Sequence, residues 1–232
     1  MAQTFQDRAV VVTGGTGALG RAVVGMLLEQ GAAVHVPLIE KSTRADFTLA
    51  HERLHLVPGV TLDDEAQAHA FFSALPPLWA SIHIAGGFAM APLTRTSFAD
   101  FEAMWRTNVA SCFLSCREAV LRMRETKLGG RIVNVAARPA LVPTGGMIGY
   151  SAAKGAVAAM TLALAEELAD EGIWVNAVAP SIIDTPANRA AMPDADHERW
   201  PAPEELATTI VHLASPDNRC ARGGIVPLYG RA

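Results

Sequence analysis

The sequence contains few of the residues that mark disulfide-rich, membrane or nucleic-acid-binding proteins. Its three cysteines, Cys112, Cys116 and Cys220, are an odd and sparse set that does not resemble a disulfide framework. The formal net charge is −4, so an anionic nucleic acid or membrane surface is not an expected partner. No apolar run approaches the ~20 residues that span a bilayer, and the polar N-terminus is unlike a signal peptide. We therefore expect a cytoplasmic protein that acts on a small molecule.

The chain has the length and the alternation of elements of one α/β domain. Its 232 residues are half apolar, and single cores grow to ~250–300 residues. Apolar runs predict strands at 8–13, 33–38, 54–57, 78–85, 130–136, 173–178 and 224–227, and amphipathic segments predict helices at 18–30, 63–74, 97–125, 150–171 and 203–214. Strands this apolar are buried on both faces. The pattern predicts a single Rossmann-type domain over residues 1–232, a doubly wound parallel sheet of about seven strands with helices on both faces.

A glycine-rich loop follows the first predicted strand and leads into the first predicted helix. It reads Thr13-Gly14-Gly15-Thr16-Gly17-Ala18-Leu19-Gly20. Glycines allow the backbone to turn tightly and to approach a pyrophosphate, whose charge the helix N-terminus stabilises. The residues expected to bind a dinucleotide are therefore Gly14, Thr16, Gly17, Ala18, Leu19 and Gly20. The alternative is a glycine-rich turn without a ligand.

The end of the second predicted strand bears on the choice of cofactor. An acidic residue there would bind the ribose 2′-hydroxyl and favour NAD. Leu38 occupies that position, and Lys41 and Arg44 follow it. These two cations could meet a 2′-phosphate, although they could equally be surface residues. The sequence therefore favours NADP(H) over NAD(H).

Tyr150 and Lys154 are the candidate catalytic pair. They lie four residues apart at the start of a predicted helix, so they share one face. A free phenol, with a pKa of ~10, is a poor acid or base at neutral pH. A neighbouring ammonium favours the phenolate, so we expect Lys154 to lower the pKa of Tyr150. Tyr150 would then donate a proton to the substrate as a nicotinamide delivers hydride.

The glycine loop together with this tyrosine–lysine pair resembles the short-chain dehydrogenase/reductase family. The resemblance implies a nicotinamide cofactor that Lys154 also contacts. It assigns Ala85, Gly86 and Gly87 to a turn beside the adenine ribose, and Pro180, Ile183 and Thr185 to a segment beside the nicotinamide. Asn108 matches the residue that holds a proton-relay water; the alternative is a polar helix residue bonded to the backbone. Family members usually assemble as dimers or tetramers, so a homodimer or homotetramer is expected.

One position departs from the family pattern. The family carries a serine thirteen residues before the tyrosine, which hydrogen-bonds the substrate oxygen, and here that position is Ala137. Thr144 is a possible replacement, and Ser151 is not expected to reach the same point. An alanine cannot donate that hydrogen bond, so the usual substrates of the family cannot simply be assumed for this protein.

The branch of the family that contains dihydropteridine reductase also lacks that serine. The sequence is similar to that branch in the glycine loop, at 143–150 before the tyrosine, and in a segment at 184–202 that we expect to cover the substrate. The similarity implies that Ala137, Met147 and Tyr150 line the substrate site. It also implies reduction of a quinonoid, imine-like heterocycle such as quinonoid dihydropterin. This reaction develops no alkoxide, so it does not need a serine as a second hydrogen-bond donor beside the tyrosine.

Two other functions stay open at this stage. An ordinary ketone or alcohol oxidoreductase could tolerate Ala137. A nucleotide-binding regulator that has lost turnover would also explain the missing serine, but the presence of Asn108, Tyr150 and Lys154 together argues against it.

No metal site is predicted. The segment 51–55 spells HExxH, yet it lies beside a predicted strand, whereas a zinc protease needs both histidines on a stable helix. The remaining histidines show no ligand spacing. Cys112 and Cys116 lie on one face of a predicted helix and are interpreted as core side chains.

Overall fold

The strands form one parallel sheet. In a computed structural model, which describes residues 4–40, 47–142 and 144–232, seven strands lie in the order β3-β2-β1-β4-β5-β6-β7. Their bounds are β1 Ala9–Thr13, β2 Ala33–Leu38, β3 Leu54–Pro58, β4 Leu78–His83, β5 Gly130–Val135, β6 Ile173–Pro180 and β7 Ile225–Leu228. Every neighbouring pair is parallel, so the predicted doubly wound sheet is confirmed.

Helices cover both faces of this sheet. Their bounds are α1 Ala18–Glu29, α2 Glu65–Ser73, α3 Phe98–Trp105, α4 Ser111–Arg124, α5 Ile148–Glu167, α6 Pro186–Ala191 and α7 Pro203–Ala214. Apolar side chains of α1 and α7 pack with one face of the strands, and those of α2, α4 and α5 pack with the other. The two resulting core layers explain why the strands are continuously apolar rather than alternating.

The predicted helix at 97–125 is interrupted. It consists of α3, one π-helical turn at Arg106–Ala110 and α4. Ser97 caps α3 through a reciprocal pair of bonds with Asp100, which is a strong start signal for a helix. The wider turn carries Asn108, and π-turns inside helices are frequent at functional sites.

The helix α5 begins at Ile148, two residues before the predicted start at Tyr150. It is long and apolar enough in composition to cross a membrane, the one such helix in the parts of the chain described above. In the fold, α5 packs on the sheet and buries Lys154, Val157 and Thr161. Its length is therefore that of a helix that covers one side of a sheet.

Because all strands are parallel, their carboxyl ends meet at one edge. The chain order reverses between β1 and β4, which are neighbours in the sheet. Ligands of such folds bind at this reversal, outside the carboxyl ends of the strands. The glycine loop, the turn after β4, Ala137 and the segment after β6 all leave the sheet at that edge.

Candidate active site

The glycine loop has the geometry of an anion site. Gly14 has a φ of +68°, and a Cβ there would lie 2.8 Å from the backbone nitrogen of Ala85, so only glycine fits without strain. A Cβ on Gly20 would collide with the carbonyl oxygen of Gly14. Gly17 is the N-cap of α1 and supplies no side chain to bond the first amides of the helix. Those amides are free to bind a phosphate.

The neighbouring residues of the loop act through their backbone. The carbonyl oxygen of Thr16 accepts a hydrogen bond of 2.8 Å from Nε of Arg21. Ala18 begins α1, and the side chain of Leu19 is buried in the core. These contacts hold the loop against the helix, and its binding of a dinucleotide stays a prediction.

Leu38 is the last residue of β2 and is buried. The structure therefore places an apolar side chain where an acidic residue would bind the adenosine ribose. Lys41 and Arg44, the cations that favour NADP(H) in the sequence, lie outside the described residues.

The turn after β4 connects the glycine loop to the catalytic pair. The amide of Ala85 donates to Oγ1 of Thr13 over 3.1 Å, next to the glycine loop. A Cβ on Gly86 would lie 2.6 Å from Oδ1 of Asn108 and 3.3 Å from Nζ of Lys154. The turn thus reaches from the predicted cofactor loop to the predicted catalytic side chains, and it has no room for a larger residue at Gly86.

Asn108 is buried in the π-turn, and its side-chain amide is bonded to backbone. Oδ1 accepts from the amide of Gly87 over 3.2 Å. Nδ2 donates to the carbonyl oxygens of Gly87, at 3.1 Å, and Met104, at 3.0 Å. The side chain therefore holds the turn after β4. Its role beside a relay water stays a prediction.

Tyr150 and Lys154 lie on one face of α5, as predicted. Nζ of Lys154 lies 5.9 Å from the centre of the Tyr150 ring. The ammonium donates a hydrogen bond of 2.8 Å to the carbonyl oxygen of Val135 at the end of β5. Phe88, which follows the glycine turn, meets the Tyr150 ring edge to face at 5.0 Å between centroids. Phe88 is not predicted from the sequence as a neighbour of Tyr150, because a single aromatic residue in a loop has no periodicity.

The predicted lowering of the Tyr150 pKa is wrong for this structure. Burial raises the pKa of Tyr150 to about 12, because the charged phenolate is poorly solvated. Burial also lowers the pKa of Lys154 to about 8, and Cys112 partly opposes that shift. At neutral pH the pair is therefore a neutral phenol and an ammonium, the protonation states that a proton donor and its electrostatic partner need.

No hydroxyl stands at the position of the usual serine. Ala137 is buried directly after β5. Oγ1 of Thr144 donates to the carbonyl oxygen of Val142 over 3.1 Å, so this hydroxyl is engaged locally. Oγ of Ser151 is buried without a hydrogen-bond partner. Of Thr144 and Ser151, only Ser151 therefore has a hydroxyl that is not already hydrogen-bonded.

A pocket of about 250 Å³ adjoins Tyr150, the predicted proton donor. Its lining joins the segment before α5 to the loop after β4 and to α3, and it includes Met90, Asp100, Met104, Met147 and Tyr150. Met147 and Tyr150 therefore share one cavity, as the predicted substrate contacts require, whereas Ala137 does not line it.

The segment after β6 is folded back on itself. Pro180 ends β6, and Thr185 caps α6 by accepting from the amide of Asn188 over 3.2 Å. Nδ2 of Asn188 donates to the carbonyl oxygen of Ile183 over 2.8 Å. The amide of Asp184 donates to the carbonyl oxygen of Pro201 over 2.9 Å, which ties the two ends of the segment together.

The HExxH sequence does not form a helix. His55 lies in β3, and its ring stacks on that of His35 at 4.6 Å between centroids. The interpretation of the motif as a chance sequence therefore agrees with the structure.

Comparison with known proteins identifies the family. Residues 8–196 match the family model described as short chain dehydrogenase. The chain is 32% identical to a (2S)-[(R)-hydroxy(phenyl)methyl]succinyl-CoA dehydrogenase subunit of Thauera aromatica, covering 97% of this chain and 96% of that protein. It is also 32% identical to cis-4-hydroxycyclohexanecarboxylate dehydrogenase of Sinomonas cyclohexanicum, covering 99% and 98%, and 29% identical to levodione reductase of Leifsonia aquatica, covering 97% and 94%.

Two solved structures share the fold. The structure of gox2181 matches with a TM-score of 0.90 at 23% identity, covering 98% of this chain and 96% of that one. An ElxO variant with NADPH bound matches with a TM-score of 0.85 at 23% identity, covering 96% and 97%. The chain belongs to the short-chain dehydrogenase family. It is an NAD(P)-dependent oxidoreductase, as the sequence predicted.

Proposed function

We propose that this enzyme reduces a quinonoid or imine-like heterocycle, such as a quinonoid dihydropterin, with NADPH or NADH as the hydride donor. The main support for this proposal is that Ala137 places a buried methyl group where the family usually has the serine hydroxyl. Reduction of a ketone creates an alkoxide, which two donors stabilise better than one. Reduction of a conjugated imine spreads the charge over the ring, so a single proton donor suffices.

The residues of the site divide this reaction into two transfers. When bound, a nicotinamide would supply a hydride to the conjugated system, and Tyr150 is placed to donate a proton to the acceptor nitrogen. Lys154 stabilises the phenolate that remains, and its bond to Val135 keeps the ammonium at a fixed place. The phenolate then regains a proton from solvent.

The residues that line the pocket support an acceptor with a flat ring. Methionine side chains from three segments line it, namely Met90, Met104 and Met147. Thioethers are polarisable and adapt to the face or edge of an aromatic ring. Asp100 also lines the pocket. One of its carboxylate oxygens accepts from Ser97, and the other can accept a hydrogen bond from a ring N–H or an amino group.

A ketone or alcohol oxidoreductase is the second candidate. It is favoured by the relatives, whose names describe a dehydrogenase of a hydroxylated cyclohexane and a levodione reductase. In that case Ser151, whose buried hydroxyl lacks a partner, is the side chain to test for the second donor.

We propose NADP(H) as the preferred cofactor. Leu38 ends β2 with an apolar side chain, so no carboxylate at this position repels a 2′-phosphate. One structural neighbour is described with NADPH bound. Kinetic comparison of the two cofactors tests the proposal, and a lower KM for NADH than for NADPH would overturn it.

The deciding experiment measures NADPH and NADH oxidation with freshly generated quinonoid dihydropterin, beside a panel of cyclic ketones. Tyr150→Phe serves as the control for the spontaneous reaction. Fast turnover that depends on Tyr150 supports the heterocycle reductase. Turnover confined to the ketones, with both cofactors binding, would reject it in favour of the second candidate.

We also propose that the enzyme is a homodimer or homotetramer built on α4 and α5. The outer face of α5 is small and apolar at Ala159, Leu162 and Ala163, and Leu162 is 46% exposed. On α4, Phe113 is 50% exposed. Size-exclusion chromatography with light scattering should report an oligomer that Leu162→Glu dissociates; a monomeric wild-type chain would contradict this assembly.

A further inference from the structure

Behind the catalytic lysine, four side chains from three elements converge. His83 is the last residue of β4, Asn134 lies in β5, and Cys112 and Cys116 lie one turn apart on α4. All four are buried, with 5% exposure or less. The ligand atoms of the histidine and the two cysteines lie within 4.8 Å of one another. The site proposed above uses none of these four side chains.

Three of the distances between the four donor atoms are close to those of a tetrahedral thiolate centre. Sγ of Cys116 lies 3.4 Å from Nδ1 of His83, and Oδ1 of Asn134 lies 3.4 Å from Sγ of Cys112 and 3.5 Å from Sγ of Cys116. With Zn–S near 2.3 Å and Zn–N near 2.0–2.1 Å, a tetrahedron separates sulfur from nitrogen or oxygen by about 3.5 Å. Nδ1 of His83 and Oδ1 of Asn134 are 2.8 Å apart, so that edge would open to about 3.4 Å on binding.

Neighbouring groups orient the two non-sulfur donors toward the centre. Nε2 of His83 is 2.8 Å from Oγ of Ser81, so a proton on Nε2 leaves the lone pair of Nδ1 facing the sulfurs. Nδ2 of Asn134 donates to Oγ1 of Thr161 over 2.9 Å. Because the Thr161 hydroxyl donates its own hydrogen to the carbonyl oxygen of Val157, it must accept from Asn134. The oxygen of Asn134 therefore faces the cluster.

Three groups lie within hydrogen-bond distance of Oδ1 of Asn134, namely the two thiols and Nδ1 of His83. A divalent cation at the centre of these four atoms would take the place of the protons between them and bind one lone pair of each. Two thiolates with one divalent ion are also neutral, which a fully buried site requires.

We propose that His83, Cys112, Cys116 and Asn134 form a closed structural site for one zinc ion. Sulfur and imidazole ligands select a soft or borderline ion over magnesium or calcium. A monovalent copper ion would leave a net negative charge in the core, so the charge balance favours zinc. Binding forms two zinc–sulfur bonds and releases two thiol protons to solvent, without any change of oxidation state. The ion would join α4 to β4 and β5 one helical turn from Asn108.

The first measurement is the zinc content of the purified full-length protein, by mass spectrometry of the metal. The expected result is one zinc per chain in the wild type and in Cys220→Ser, a matched control at an exposed cysteine. The variants Cys112→Ser and His83→Asn should lose nearly all of it. Less than one tenth of an equivalent in the wild type, even after refolding with added zinc chloride, would overturn the proposal. Equal zinc in the double variant Cys112→Ser/Cys116→Ser would also overturn it.

A second measurement does not depend on whether those variants fold. Wild-type protein refolded with cobalt(II) should show the intense visible absorption of tetrahedral cobalt with a sulfur-to-metal charge-transfer band. Zinc should raise the Tm of the wild type and of Cys220→Ser relative to protein kept in chelator. A pink, weakly absorbing octahedral cobalt spectrum together with an unchanged Tm would reject the site.

Discussion

The ammonium of Lys154 donates a hydrogen bond of 2.8 Å to the carbonyl oxygen of Val135, the last residue of β5. The bond fastens the start of α5 to the edge of the sheet where the other candidate groups lie. It also uses one of the three N–H donors of the ammonium. The chemical consequences can be tested with conservative variants.

Replacement of Tyr150 by phenylalanine removes the phenol and keeps the ring. The ring contact with Phe88 should survive, so the fold and cofactor affinity should be unchanged. Turnover should fall by ~10²–10⁴-fold, the usual contribution of a general acid. Steady-state kinetics and titration of NADPH fluorescence check both parts. Unchanged kcat would remove Tyr150 from the chemistry.

Replacement of Lys154 by methionine should abolish turnover and change the pH dependence of stability. The pKa of Lys154 is lowered to about 8 by burial, whereas that of an unfolded lysine is ~10.4. Between these values the unfolded chain binds more protons, so wild-type stability rises with pH. Below pH 8 Lys154 is charged in both the folded and the unfolded chain, so the cost of burying its ammonium lowers the free energy of unfolding by its full amount.

The free energy of unfolding of Lys154→Met should therefore equal or exceed that of the wild type at pH 7. The difference should shrink by pH 9.0, one unit below the ordinary tyrosine pKa of ~10. Urea denaturation at both pH values measures it, with Tyr150→Phe as a control without such a trend. A difference between Lys154→Met and the wild type that does not change with pH would contradict the lowered pKa.

Introduction of a serine at Ala137 should enlarge the substrate range. The added hydroxyl would stand at the position of the usual second donor, so kcat/KM for ketones should rise by about tenfold or more. Activity on a quinonoid heterocycle should change little. Ser151→Ala is the companion variant: if it lowers ketone turnover as much as the serine raises it, Ser151 is the native donor.

A methyl group at Gly86 should damage the site. The Cβ of Gly86→Ala would lie 2.6 Å from Oδ1 of Asn108 and 3.3 Å from Nζ of Lys154. We expect a loss of about 1–3 kcal/mol in the free energy of unfolding, from overpacking, together with a fall in kcat. Gly25→Ala in α1, where a Cβ meets no atom within 4 Å, should instead stabilise by ~0.5–1 kcal/mol. Thermal melts and kinetics of both variants check the contrast.

The sheet and the tyrosine–lysine pair could be predicted because each leaves a local signal. Buried parallel strands are short apolar runs, and a helical spacing of four places Tyr150 beside Lys154. The π-turn around Asn108 leaves no such signal, since the apolar pattern of 97–125 continues through it. The raised pKa of Tyr150 depends on burial by residues distant in the chain, which spacing does not reveal.

The cluster of His83 with Cys112 and Cys116 shows the same limitation. The spacing between the two cysteines indicates only a shared helix face. The histidine joins them because β4 and β5 are neighbours beneath α4, and no count along the sequence expresses that juxtaposition. From the sequence alone, the two cysteines are therefore predicted to be core residues and not ligands.

The hydrogen bond between the amide of Asp184 and the carbonyl oxygen of Pro201 has an evolutionary consequence. A loop whose two ends already meet adds little closure entropy when its interior grows or shrinks. The residues between Asp184 and Pro201 can thus be replaced together without a change in the positions of β6 and α7. A segment of another length or sequence can therefore stand at this place without a change in the sheet or in α5.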